Sequence, residues 1–319
     1  MLSKRLSKVI LGAVICGVMV TGMASVCMGE EELKSSNVVM SETSNNDVVK
    51  TRMESNVVFA SLRDVSNFFK GDFKLNGDEA IVNINGDEIV VNSEREVARV
   101  NSKSVSLMTK ARMYDDDIYV PLDFLRDNVN ARFTYDRLSG RLTLESSMKL
   151  QYASGFSVEY FKGGVKKVTD GSNRTLIIVP EGKVVPEELK NETIIKTPLK
   201  NVLATSKDEI DVLKSIGEIN SVKEVTKEAV TSDSIEIKIG LQDGVVQYVS
   251  KDDEFDFDKI SFFSPKLVIV DRTLKDYENI VKKLDELNIN YVVENSSLEN
   301  NQNAKNEWGK FISVFYDKE

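Results

Sequence analysis

The feature that most restricts the fold of this chain is an internal repeat. Val58-Phe59-Ala60-Ser61-Leu62 aligns with Ile118-Tyr119-Val120-Pro121-Leu122 at an offset of 60 residues. Phe73 and Leu75 align in the same way with Phe133 and Tyr135, and Val82 and Ile84 with Leu142 and Leu144. The alternation at Phe73/Leu75 and at Phe133/Tyr135 is that of a strand with one face buried. Each unit therefore reads as strand, short helix and hairpin, with helices over 62–69 and 122–129. The first hairpin turns at Asn76-Gly77, a strong turn signal, and the second at Arg137-Leu138-Ser139-Gly140. Ile84 to Val91, Val97 to Val100 and Ser104 to Leu107 read as strands between the units.

From Leu150 the pattern changes to alternating strands and helices. Tyr152 to Tyr160 and Gly164 to Thr169 read as a hairpin around Lys162-Gly163-Gly164. Strands are expected at Thr175 to Val179, Ile194 to Lys196, Asn201 to Ala204, Ser221 to Val225 and Ile235 to Ile239. Asp208 to Ile216 places Ile210, Leu213 and Ile216 on one helical face, with Gly217 at its end. A short helix over Phe255 to Phe263 precedes Pro265. Lys266-Leu267-Val268-Ile269-Val270-Asp271 is a continuous apolar run of the kind found in a buried parallel strand. Leu274 to Leu287 is an amphipathic helix, and Tyr291 to Glu294 the next strand. Strand, helix, strand in that order implies a right-handed crossover. The fold class expected is an α+β repeat-containing N-terminal domain followed by an α/β domain with a parallel sheet flanked by helices. The closing run Glu307-Trp308-Gly309-Lys310-Phe311 sits on what reads as a long helix with no cap and no turn after it.

The residue inventory removes several chemistries. There is no histidine among the 319 residues, and the two cysteines, Cys16 and Cys27, both lie near the N-terminus. A Ser-His-Asp triad, a Cys-His dyad, a histidine zinc site and a histidine haem ligand are excluded. No Gly-x-Ser-x-Gly or Walker A pattern is present, so an enzyme is not expected, nor a cofactor or a metal site. The net charge of −9 and the excess of acidic over basic residues, 51 to 42, argue against a nucleic-acid partner.

Residues 1–29 read as a targeting segment: Lys4, Arg5 and Lys8 precede an apolar stretch from Val9 to Met28. Cleavage after Ala24 or after Gly29 meets the small-residue rule. The stretch also reaches the roughly 20 apolar residues that span a bilayer, so an uncleaved anchor stays open. Ala24-Ser25-Val26 before Cys27 departs from a lipobox, and a lipid anchor is not expected. Residues 30–55 are polar and read as a flexible tether. The protein is expected at the extracellular face of the membrane or in the cell wall.

Two resemblances add to this reading. Ile118-Tyr119-Val120-Pro121-Leu122-Asp123-Phe124, Ala131 to Asp136 and Arg141 to Leu144 resemble the copper amine oxidase N-terminal-like domain of secreted bacterial proteins, over about 56–148. Its first unit departs from the pattern, with Ala60-Ser61 where Val-Pro is usual. The resemblance implies a stalk or wall-associated module, and these residues offer no copper ligands. The second half, 150–319, resembles the first lobe of the iron-siderophore and cobalamin class of ABC-transporter substrate-binding proteins. The residues that carry it are Gly155 to Phe161, Leu176 to Gly182, Asn201 to Ser206 with the helix ending Ser215-Ile216-Gly217, Ser264 to Val268, and Glu294 to Glu299 with Glu307 to Phe311. Lys266 and Gly309 depart from that pattern. The family's second lobe is not in this sequence, which leaves a natural truncation and a fragment of a longer chain both open.

That resemblance implies a ferric siderophore or related metal chelate as ligand, and an ABC permease as partner. The alternative is a cell-envelope interaction protein that uses the repeat domain to hold cell wall. In open parallel sheets ligands sit beyond the carboxyl ends of the strands. The candidate contacts are therefore Thr205, Ser206 and Lys207; Leu241 and Gln242, with Gly240, after the strand expected at Ile235 to Ile239; Asp271, Arg272 and Thr273; and Asn295 and Ser296. Arg272 is the favoured contact, because a guanidinium fork suits carboxylate or catecholate oxygens. Glu294 is the candidate for a contact with the transporter. Each has a plainer role: Ser206 as a helix cap, Arg272 in an ion pair, Glu294 as structure, Trp308 as packing. The acidic run Asp252-Asp253-Glu254 with Asp256 and Asp258 lacks the spacing of a calcium loop and reads as a solvated face.

Overall fold

The computed structural model describes residues 48–251 and 254–319. The targeting segment expected over residues 1–29, with Cys16 and Cys27, most of the expected tether, and Asp252 and Asp253 lie outside the described residues. Among the described residues no helix is long and apolar enough to cross a membrane.

The first half starts with β1 (Val48–Val49), β2 (Thr51–Glu54), β3 (Val57–Ser61) and α1 (Leu62–Phe68). Next come β4 (Asp72–Asn76), β5 (Glu79–Ile84), β6 (Asp87–Asn92), β7 (Val97–Val100) and β8 (Lys103–Ser106), which form one antiparallel meander. The second unit is β9 (Arg112–Tyr114), β10 (Asp117–Pro121), α2 (Leu122–Asn128), β11 (Arg132–Asp136) and β12 (Arg141–Glu145). The helices α1 and α2 begin 60 residues apart, as do β4 and β11. β3 and β10 pair antiparallel with Ala60 opposite Val120. These two residues are repeat equivalents, so a local two-fold axis runs between them. The repeat is thus a fold instruction: each unit offers its first strand to its twin.

Val48 to Glu54 correct the tether reading. Val48–Val49 and Thr51–Glu54 are strands, with β2 paired to β3 and β1 paired to β12. The Ala60-Ser61 departure also has a physical reason. Ser61 caps α1 by accepting from the Asp64 N–H at 3.0 Å, and its hydroxyl donates to buried Asp117 at 2.5 Å. Pro121 at the equivalent position makes no side-chain cap. Ser61→Ala removes both bonds and leaves a buried carboxylate short of a donor. A loss of about 2 kcal/mol is expected from urea unfolding.

The second half opens with β13 (Ser157–Tyr160), β14 (Lys166–Thr169), β15 (Thr175–Pro180) and β16 (Thr193–Thr197), the last pair parallel. Then follow β17 (Val202–Ala204), α3 (Lys207–Ser215), β18 (Val222–Val225), α4 (Lys227–Val230), α5 (Ile235–Gln242) and β19 (Gln247–Tyr248). After the small hairpin β20 (Ser250–Lys251) and β21 (Glu254–Phe255) come α6 (Phe257–Phe263), β22 (Leu267–Asp271), α7 (Tyr277–Glu286), β23 (Tyr291–Glu294) and α8 (Gln302–Ser313). One five-stranded sheet has the order β19-β18-β17-β22-β23, with every neighbouring pair parallel. The chain winds outward one way from β17 and then returns to β22 beside it, so the strand order reverses between β17 and β22.

Both faces of this sheet are covered, which explains the unbroken apolar runs. Leu267, Ile269 and Val292 pack with Ile210 and Leu213 of α3 and with α8. Val268, Val270 and Val293 pack with Ile260 of α6 and with Tyr277, Ile280 and Leu284 of α7. Each such side chain contributes roughly 1.5–3 kcal/mol by leaving water.

Two readings are corrected here. Ile235 to Ile239 is helix, not strand. Ser234 caps it by accepting from the Ile237 N–H at 3.4 Å, and only Ile237 and Gly240 of α5 are buried. The every-second isoleucine pattern was misleading because Ile235 and Ile239 stay exposed. The closing helix is also neither uncapped nor without a turn. Asn301 caps α8, a 3-10 turn follows at Val314–Tyr316, and Asp317 adopts φ 54. Trp308, Phe311 and Phe315 are buried in the core beside Phe156.

Candidate binding site at the carboxyl edge of the parallel sheet

The reversal between β17 and β22 leaves a crevice at the carboxyl ends of those strands, and the side chains there interlock. β17 delivers Thr205 and then Ser206, the cap of α3. The sequence Ser206-Lys207-Asp208-Glu209 is a capping box. Ser206 accepts from the Glu209 N–H at 3.3 Å, and the Glu209 carboxylate accepts from the N–H groups of Thr205 at 2.6 Å and Ser206 at 3.2 Å. The Thr205 hydroxyl donates to Glu209 at 3.2 Å and accepts from the Asp271 N–H at 3.0 Å. One hydroxyl thus ties β17 to β22 across the crevice.

β22 delivers Asp271, whose carboxylate accepts from the Thr273 N–H and hydroxyl, both at 2.7 Å, and from the Ser297 hydroxyl at 2.8 Å. β23 delivers Glu294, which accepts from the Ser296 N–H at 2.7 Å and hydroxyl at 2.9 Å. Glu209, Asp271 and Glu294 are all buried. Burial and the neighbouring Glu294 and Asp271 carboxylates raise Glu209 well above the usual carboxylate range. Burial, with Asp271 adding to it, pushes Glu294 up to about 7. Burial thus favours the neutral form of both glutamates, and Glu294 titrates near neutral pH.

Beside this cluster a cavity of about 610 Å³ opens between α3 and α8, with Glu209, Glu294 and Ser296 at its base and Val212, Trp308 and Gly309 among its walls. Trp308 donates through Nε1 to Glu299 at 3.0 Å. Gly309 lies within α8, and a Cβ there would meet Val212 only at 3.9 and 4.0 Å, an ordinary contact. Gly309→Ala is expected to stabilise the fold by about 1 kcal/mol, seen as a higher urea midpoint with unchanged slope.

The structure brings together Thr205, Ser206, Asp271, Thr273 and Ser296. Lys207 is the exposed first residue of α3. Leu241 and Gln242 do not join them. They lie in the last turn of α5, because the strand expected before them is that helix. Asn295 turns away to donate to the Gly171 carbonyl at 2.7 Å. Arg272 is committed elsewhere: its guanidinium pairs with Glu278 at 3.3 Å and lies 3.9 Å from the Tyr277 ring centre. Glu294 does not stand on the surface as a transporter contact must, being 2% exposed and fully engaged with Ser296. Glu209 was not among the expected site residues. Its signal was present, since a Ser-x-x-Glu box directly after a buried strand sends the glutamate back toward the strand end.

Residues 41–144 match the family model described as the copper amine oxidase N-terminal domain. A curated relative, an uncharacterized lipoprotein of Methanocaldococcus jannaschii, is 26% identical over 193 residues, 53% of this chain and 46% of its own length. Among solved structures, the petrobactin-binding protein YclQ of Bacillus subtilis matches with a TM-score of 0.31 and 14% identity, over 55% of this chain and 46% of that one. That likeness carries no argument about the ligand. The chain spans about half the length of each of these two proteins.

Proposed function

We propose that the chain is an extracellular solute-binding component that takes a ferric siderophore or related metal chelate and hands it to an ABC permease. The repeat domain, about 56–148, serves as its stalk, and about 150–319 is one lobe of the binding unit. The observation that supports this reading is the sheet order. It places a strand-order reversal between β17 and β22, where hydroxyl- and carboxyl-bearing loops converge beside a cavity. Because Arg272 is engaged and Asp208 and Asp211 line the cavity against Lys305, the chelate that fits is neutral or cationic, such as a ferric trihydroxamate. A ferric catecholate, with its surplus negative charge, meets like charge there.

Trp308, the sole tryptophan, reports on this cavity. Titration with a cationic ferric trihydroxamate is expected to quench its fluorescence saturably. The iron-free ligand and a ferric tricatecholate are expected to quench at least tenfold less at the same concentration. Linear, non-saturating quenching by all three would remove the transport reading.

The second reading is an envelope-interaction protein. It is favoured by the way the carboxylates and hydroxyls at the reversal satisfy one another without a ligand. Co-sedimentation of the chain with purified cell wall, abolished by deleting the repeat domain, is its expected signature.

A further inference from the structure

A second cavity, of about 620 Å³, lies at the opposite edge of the parallel sheet. It occupies the seam where the carboxyl ends of β15 and β16 meet the chain entering β17, β22 and β23. Ile195, Pro198 and Leu199 give it an apolar wall, and Ile195 and Leu199 belong to the main core. Lys196, Lys200 and Lys266 stand around it, all exposed, against one acidic lining residue, Glu181. Lys200 and Lys266 have no carboxylate partner among the described residues, in a chain whose net charge is −9. The wall also holds an unmet polar group. Thr197 is 4% exposed, and its hydroxyl has no hydrogen-bond partner. A buried hydroxyl without a partner is costly in a native fold and calls for an explanation.

The geometry points to a binding site for an amphipathic anion: a carboxylate on an apolar body, its head between Lys200 and Lys266 and its body against Ile195, Pro198 and Leu199. Such an acid supplies what each part of the cavity lacks. Its oxygens give the lysines a counter-charge, while its hydrocarbon covers the apolar wall. The volume is within the range of small-molecule sites, and an apolar lining with few polar groups is their usual make-up. This site stands apart from the carboxylate cluster and does not depend on the transport reading.

The test is calorimetric titration of the full chain with decanoate below its micelle concentration, with decanol and acetate as probes of body and head alone. Decanoate is expected to bind one to one. Decanol and acetate are each expected to bind at least about tenfold more weakly. The Lys200→Gln/Lys266→Gln pair, both exposed and neutral to the fold, is expected to weaken decanoate about five- to tenfold and leave decanol unchanged. Thr197→Val is expected to raise the melting temperature, by removing the unmet hydroxyl, and to leave decanoate affinity unchanged. Equal affinity for decanol, or wild-type affinity in the lysine pair, would overturn the proposal. If the chain instead sediments with phosphatidylglycerol vesicles and the lysine pair does not, the assignment to a free acid is overturned in favour of a lipid.

Discussion

Glu307→Ala is expected to cost the fold about 3 kcal/mol, since the change leaves three backbone N–H groups, one of them buried, without their acceptor. The Glu307 carboxylate projects from α8 and accepts from three successive backbone N–H groups, those of Gln151 at 3.1 Å, Tyr152 at 2.8 Å and Ala153 at 2.9 Å. Lys310 completes the set at 2.8 Å. This cluster fastens the start of the second half to its last helix, next to the Phe156–Trp308–Phe311 aromatic group. Burial acts to raise the carboxyl, but Lys310 and the three N–H groups outweigh it and hold Glu307 at about 2. A depressed acid confers stability that is present above its ordinary value of 4.5 and fades as the pH falls toward 2. Urea unfolding should therefore show a large gap between wild type and Glu307→Ala at pH 7, narrowing below pH 4. A gap that does not change with pH would show that lost packing, not the carboxylate, accounts for the effect.

Glu294→Gln is expected to act in the opposite direction. Glu294 sits at about 7 against an ordinary 4.5, so the fold favours its protonated form. The stability of that form is fully present below pH 4.5 and is lost as the pH rises through 7. Glutamine keeps the neutral shape and can still accept from the Ser296 N–H. The variant should match wild type at pH 4 and exceed it by up to about 3 kcal/mol at pH 8. Removing one charge should also lower Glu209, whose elevation owes part of its size to Glu294. Wild type and variant with parallel stability curves from pH 4 to 8 would contradict the view of this edge as a proton-holding cluster. Carboxyls pushed toward their neutral forms at this edge suit a ligand that brings positive charge or hydrogen-bond donors to them.

Much of the fold was legible in the sequence because the signals were redundant. The repeat located both helices and both hairpins of the first half, since matching apolar positions in two units constrain each other. The run Leu267 to Val270 announced a strand buried on two faces. Ile235-Glu236-Ile237-Lys238-Ile239 misled because alternation was the only signal weighed, while Ser234 as a cap and Gly240 decided the outcome. Gly240 admits a close approach: a Cβ there would stand 2.5 Å from Val246. The strand at Thr51–Glu54 is hard to read because it lies at a sheet edge with three polar residues and an exposed Met53, and so lacks a buried apolar face.

The candidate site was legible as a set of loops and not as chemistry. Sequence order places Thr205, Asp271 and Glu294 at strand ends, but says nothing of which side chains turn inward. Arg272 drew notice for its charge and proved to be stacked on Tyr277, five residues on, with Glu278 beside it. Glu209 went unnoticed because a glutamate in the first turn of a helix is usually a solvated cap. Here the strand before it is central to the sheet, and the cap is carried into the interior.

Hydrogen–deuterium exchange of the chain, with and without a cationic ferric trihydroxamate, tests the central claim most directly. The account predicts protection confined to the loops around 205–209, 271–274 and 294–297 and to the adjoining faces of α3 and α8. Unchanged exchange in those loops at saturating chelate, or protection found only within the repeat domain, would contradict it.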